Sequence, residues 1–150
     1  YNINLNTKDA SIAQEIAYDL RELGRPIRKE NGKTIYKSGL LKKVKAIGWF
    51  IQDFNIAQVS INLIDYKTTS LFEVYETTKE LAKKHNIEVT GSELIGLIPL
   101  AAILATGKRY NNEIDINNET LIQLSIDKLG LSNINPFNSN NRILEYVLNI

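Results

Sequence analysis

The chain has 150 residues, 18 basic and 17 acidic, with a formal net charge of +1; this suits one domain with its own core and gives no overall field of the kind that nucleic acid attracts. Cysteine is absent, which excludes a disulfide framework, a thiol nucleophile and a thiolate metal site. No run approaches the roughly 20 apolar residues that span a bilayer, and no signal stretch opens the chain, so the expectation is a soluble, cytoplasmic protein with no membrane partner, and, since even position 1 is not methionine, a part of a longer one.

Residues 2–6 alternate Ile3 and Leu5 with Asn2, Asn4 and Asn6, which predicts a strand with one apolar and one amide face. A helix follows, with Thr7 or Asp9 as N-cap, a stripe of Ile12, Ala13, Ile16, Ala17, Leu20 and Leu23, and Gly24 as its end. Residues 25–39, RPIRKENGKTIYKSG, are rich in charge and turn formers; with Asn31-Gly32 suited to a tight turn, they read as an exposed excursion or small hairpin. Two strands, over residues 43–52 and 56–64, are joined through Asp53, Phe54 and Asn55, short enough for antiparallel pairing. In the second of them, Ala57, Val59, Ile61 and Leu63 alternate with Gln58, Ser60 and Asn62, giving an apolar face and a face of amides and a hydroxyl.

Ser70 and Glu73 form a capping box for a second helix whose inner stripe is Leu71, Val74, Tyr75, Thr78, Leu81 and Ala82, ending near Lys83, Lys84 and His85. Residues 87–90 read as the fourth strand. After Gly91 the chain runs to Pro99, which opens a third helix through Ala105, closed by Gly107. An Asn-rich connector over residues 110–118 leads to a helix at about 119–129 stopped by Gly130, and a last helix covers 140–148.

The order β, α, β, β, α, β predicts an α+β fold of the ferredoxin-like, split βαββαβ kind, an antiparallel sheet with helices on one face, here with a core at about 1–107 and a C-terminal helical extension at about 118–150. Alternation then places Asn2, Asn4, Asn6, Gln58, Ser60 and Asn62 together on the uncovered face. A plain wet exterior accounts for such a face as well as a ligand site does; neutral amides and hydroxyls offer the donors and acceptors that a small ligand uses.

Five ordered blocks resemble one family. YNINL at the start, LKKVKAIGW at 41–49, AQVSINL at 57–63, VTGSELIGLIPL at 89–100, and LGL, PF and LEY within 129–146 are similar to the carboxy-terminal subdomain of glutamate formimidoyltransferases. The resemblance implies transfer of the formimino group of N-formimino-L-glutamate to tetrahydrofolate in histidine degradation. It implies two related subdomains around a folate tunnel, a homodimeric full enzyme, tetrahydrofolate as co-substrate, and no metal. The family's catalytic histidine belongs to the preceding subdomain, which this sequence does not contain. His85 is not its counterpart and reads as a helix cap, so no catalytic residue is assigned and the chain alone is expected to be inactive.

Under that resemblance, this half offers Gln58, Ser60 and Asn62 as tunnel surface, Lys42 and Lys43 as point-charge clamps for a glutamate tail, and Ser92 and Glu93 in a loop after strand four. Asn2, Asn4 and Asn6 are expected to meet the missing N-terminal subdomain or the folate. Simpler readings stand beside these: a basic strand entrance at a sheet edge, and a glycine bulge that only redirects the chain. Trp49 and Phe50 offer rings for stacking on a pterin or benzoyl group, but large aromatics in a strand are more often core, and that is how they read. Asp53, Asp65 and Glu88 are isolated carboxylates without metal spacing, and a non-catalytic ligand-binding or assembly module of the same fold is the alternative function.

Overall fold

The computed structural model describes residues 1–150. In chain order its elements are β1 (Asn2–Leu5), α1 (Ala10–Leu20), β2 (Arg25–Arg28), β3 (Thr34–Lys37), β4 (Val44–Ile51), β5 (Ile56–Leu63), α2 (Leu71–Lys84), β6 (Val89–Glu93), α3 (Leu100–Tyr110), α4 (Asn118–Lys128), α5 (Ser139–Arg142) and α6 (Leu144–Leu148). Strands β4, β5, β1 and β6 lie side by side in that order in one sheet, every neighbouring pair antiparallel. With β2 and β3 set aside as a separate hairpin, the architecture is the ferredoxin-like α+β fold.

Local chemistry explains most boundaries. Asp9 caps α1, its Oδ1 accepting from Ser11 N at 2.8 Å. The expected end at Gly24 is corrected: α1 stops at Arg21, whose backbone is extended, because Glu22 N bonds the Val44 carbonyl at 3.1 Å and draws the chain onto β4. Gly24, at φ +79°, serves a close approach instead, since a Cβ there would lie 1.8 Å from the Lys37 carbonyl oxygen. Residues 25–39 do form a hairpin, with Arg25 opposite Lys37 and Arg28 opposite Thr34. The capping box of α2 is present, and its buried residues are Leu71, Val74, Tyr75, Thr78, Leu81 and Ala82.

Helix α1 packs over β4 and β5, α2 over β1 and β6, α3 stands beside α2, and α4 packs against α3. Ile3, Leu5, Val59, Ile61 and Ile103 are fully or almost fully buried in a single core of 24 residues, to which Ile122, Ile126, Leu129, Leu131 and Ile143 also belong. Both sheet edges are partly covered. Along β4, the Val44 carbonyl accepts from Glu22 N, the Ala46 carbonyl accepts from Arg21 Nη1, and Gly48 N donates to Gln14 Oε1. Along β6, Ser92 N donates to the Gly130 carbonyl at 3.0 Å. These contacts use up groups that would otherwise recruit another strand.

Three further expectations are corrected. The fourth strand runs from Val89 to Glu93, so Gly91, Ser92 and Glu93 are ladder residues and not a loop; the register slips between Asn4 and Leu5, where β6 carries its irregularity. Gly107 lies inside α3 and lets α4 approach, because a Cβ there would sit 2.3 Å from the Leu121 carbonyl oxygen. The last helix is broken into α5 and α6 at Ile143, whose extended backbone makes a parallel bridge to Ile98.

Candidate functional site

Alternation along β1, β4, β5 and β6 builds a second sheet face opposite α1 and α2. The ladder sets Asn2 across from Ser60 and Asn4 across from Gln58. On the other side of β5, Lys45 faces Asn62, Ile47 faces Ser60 and Trp49 faces Gln58. Asn2 also pairs with Glu93 and Asn4 with Gly91, so residues from all four strands share the face.

At its centre is a run of hydrogen bonds. The Trp49 indole Nε1 donates to Gln58 Oε1 at 3.1 Å, Gln58 Nε2 donates to Asn4 Oδ1 at 2.7 Å, and Asn4 Nδ2 donates to Asn133 Oδ1 at 3.3 Å. Asn4 and Gln58 are 0% exposed, and a buried amide without such partners would carry its full desolvation cost. They are therefore the floor of the face. Trp49, 39% exposed, lies against that floor and shows ring surface to solvent. Ser60 is half-buried and Asn62 exposed beside it. Asn2, almost buried, reaches Glu93 Oε2 at 3.5 Å.

Other expected residues fall elsewhere. Asn6 lies past the end of β1, and its side chain accepts from Glu88 N at 2.8 Å. Ser92 sits across from Ile3 on the helix-covered face, where its hydroxyl donates to the Leu129 carbonyl at 2.6 Å and accepts from the Tyr1 hydroxyl at 3.0 Å. Lys42 and Lys43 are exposed at the entrance of β4. Lys43 has φ +57°, which breaks the alternation that would have aligned it with Lys45. Its N–H donates to Glu22 Oε2, and the Lys42 carbonyl accepts from Thr69 Oγ1.

Trp49 and Phe50, read from sequence as core, are both partly exposed. Trp49 belongs to the second face because β4 places it two residues from Ile47 and four from Lys45; that period-2 signal was available in the sequence. Asn133 carried no signal at all, since its place is set by the turn after α4. Beyond Asn62, a cavity of about 270 Å³ is lined by Tyr1, Leu63, Tyr66, Leu94, Leu97 and Ile98 among others and is largely apolar.

His85, the single histidine, caps α2 at its C-terminus, its backbone N–H bonding the Ala82 carbonyl. The strongly displaced phenols lie under the helices: burial pushes Tyr1 up, and burial followed by its hydrogen bond to Glu76 pushes Tyr110 up. Both stay neutral donors, Tyr110 to Glu76 Oε1 at 2.6 Å. No three His, Asp or Glu side chains come together in a metal-holding group. The second face can thus grip planar, hydrogen-bonding ligands through ring surface, amides and a hydroxyl, with Lys45 and Glu93 at its borders.

Residues 1–149 match the family of the formiminotransferase domain. The chain is 41% identical over 152 residues to the formimidoyltransferase-cyclodeaminase of Rattus norvegicus, an alignment covering 99% of this chain and 26% of the rat protein. It is 38% identical over 152 residues to the protein of the same name from Dictyostelium discoideum, again 26% of that protein. It is also 36% identical over 110 residues to the glutamate formimidoyltransferase of Streptococcus pyogenes serotype M1, which covers 73% of this chain and 32% of that protein. The chain spans between a quarter and a third of the length of these relatives.

Proposed function

Because this chain belongs to the formiminotransferase domain family, we propose that its 150 residues are the carboxy-terminal subdomain of a glutamate formimidoyltransferase, with a sheet core at about 1–107 and a helical extension at about 118–150. The enzyme transfers the formimino group of N-formimino-L-glutamate to tetrahydrofolate in histidine degradation. A nitrogen of the folate attacks the formimino carbon, the carbon–nitrogen bond to glutamate breaks, and the proton lost by the attacking nitrogen is passed to the departing amine. Moving that proton requires a positioned base, which the upstream subdomain supplies; this chain alone is inactive.

The observation that carries the reading is the second sheet face, in which the two buried amides of Gln58 and Asn4 support a half-exposed Trp49. Such a face binds and orients. Ser60, Asn62 and Glu93 are its polar contacts with the substrates, Gln58, Asn2 and Asn4 hold it from beneath, and Lys42 and Lys43 are clamps for glutamate carboxylates at its rim. Ser92 acts from the helix side by fixing β6. The same face meets the upstream subdomain, so the substrates lie between two sheets, in the cytoplasm and without a metal.

Calorimetric titration of tetrahydrofolate into this chain and into the parent enzyme tests the assignment. Saturable binding to the parent enzyme, absent or much weaker for this chain, is the expected result. Binding to neither would overturn it in favour of a non-catalytic module of the same fold.

A further inference from the structure

Asn133 stands in the turn that follows α4, far in sequence from the sheet, and the residue as a whole is exposed. It is nevertheless the terminus of the run of hydrogen bonds under Trp49. The direction of that run is dictated from one end: an indole N–H can only donate. Gln58 must therefore turn its oxygen to Trp49 and its nitrogen to Asn4; Asn4 must turn its oxygen to Gln58 and its nitrogen outward. Only an acceptor can complete the series, and Asn133 offers Oδ1. Flipping either buried amide would set nitrogen against nitrogen on one side and oxygen against oxygen on the other.

The turn that delivers Asn133 is itself held against the sheet. The Gly130 carbonyl accepts from Asn133 N at 3.2 Å and from Ser92 N at 3.0 Å. Gly91 leaves room for the side chain, because a Cβ at that position would lie 2.5 Å from Asn133 Cβ. Asn133 thus docks on β6 beside Asn4 through contacts that a solvent-facing asparagine does not need.

We propose that Asn133 is a positioning residue for co-substrate binding: by fixing the amides of Asn4 and Gln58 it holds the Trp49 indole in the orientation that receives the flat pteridine ring of tetrahydrofolate. The proposal rests on the formimidoyltransferase reading for its ligand, and on this chain's own hydrogen bonds for its geometry. Asn133 acts through two other side chains, so its removal loosens Trp49 without deleting any group in contact with substrate.

The variants that separate the roles are Asn133→Leu, which keeps the branching at Cγ and removes the acceptor, and Asn133→Asp, which keeps the acceptor on an exposed site. Trp49 is the single tryptophan of this chain, so its emission reports the indole environment directly. Asn133→Leu is expected to move that emission to longer wavelength and to raise its quenching by acrylamide, and Asn133→Asp to restore both. In the parent enzyme, Asn133→Leu raises the KM for tetrahydrofolate by about three- to tenfold, the worth of one hydrogen bond, with kcat and the KM for N-formimino-L-glutamate within about twofold. Unchanged emission and KM in Asn133→Leu, or a lowered Tm as its sole effect, would overturn the proposal, and so would failure of Asn133→Asp to rescue. A wild-type parent enzyme without transferase activity sinks the transferase reading instead, and the emission series then decides the positioning role by itself.

Discussion

Gln58 and Asn62 sit on the same strand face, four residues apart with Ser60 between them, yet they do different work. Gln58 is 0% exposed and bonded at both ends of its amide, whereas Asn62 is exposed across from Lys45. Replacing Gln58 by Leu strands the Trp49 donor and the Asn4 acceptor, and is expected to lower unfolding stability by about 1–3 kcal/mol in urea titration. Asn62→Ala should stay within about 0.5 kcal/mol of wild type and raise a substrate KM in the parent enzyme. Equal stability losses for the two would remove the distinction between floor and surface. The amide face itself was legible, because period-2 alternation in β1 and β5 names Asn2, Asn4, Gln58, Ser60 and Asn62 together. Which of them would be sealed from water was not, since that depends on Trp49 from β4 and Asn133 from beyond α4, partners that no local pattern identifies.

Among the elements, α2 and α3 show how far a local pattern reaches. The capping box of Ser70 and Glu73 and the stripe behind it are complete within one stretch of chain, so they read correctly. In α3, Gly107 looked like a stop signal, as glycine after a helical stripe commonly is; in the molecule it is a contact point, its Cα facing the Leu121 carbonyl. Gly107→Ala tests this. Propensity alone would favour alanine by about 1 kcal/mol, whereas a Cβ 2.3 Å from that oxygen must push α4 away, so thermal unfolding should show a net loss of about 1–3 kcal/mol. A stabilised variant would mean that the helix pair has slack. The break between α5 and α6 has the same origin: Ile143 leaves helical geometry to bridge Ile98, a tertiary demand that helix signals in residues 140–148 cannot express.

For the whole molecule, sheet and extension form one cooperative body. Ile122, Ile126, Leu129, Leu131 and Ile143 share a core with Ile3, Leu5 and Ile103, and fully burying a large aliphatic side chain contributes about 1.5–3 kcal/mol. Their combined loss is on the order of the entire stability of a domain. A chain cut after Tyr110 is therefore expected to give no near-ultraviolet circular dichroism and to elute as aggregate in size-exclusion chromatography. A monomer with a cooperative melt would show that the sheet core stands by itself. The seal on β6 has a consequence in time. Ser92 finds its partner only when Gly130 is available, and during translation Gly130 leaves the ribosome well after Ser92. Throughout that interval the nascent chain carries an open strand edge. Pausing between those two codons lengthens the period in which a chaperone must guard it.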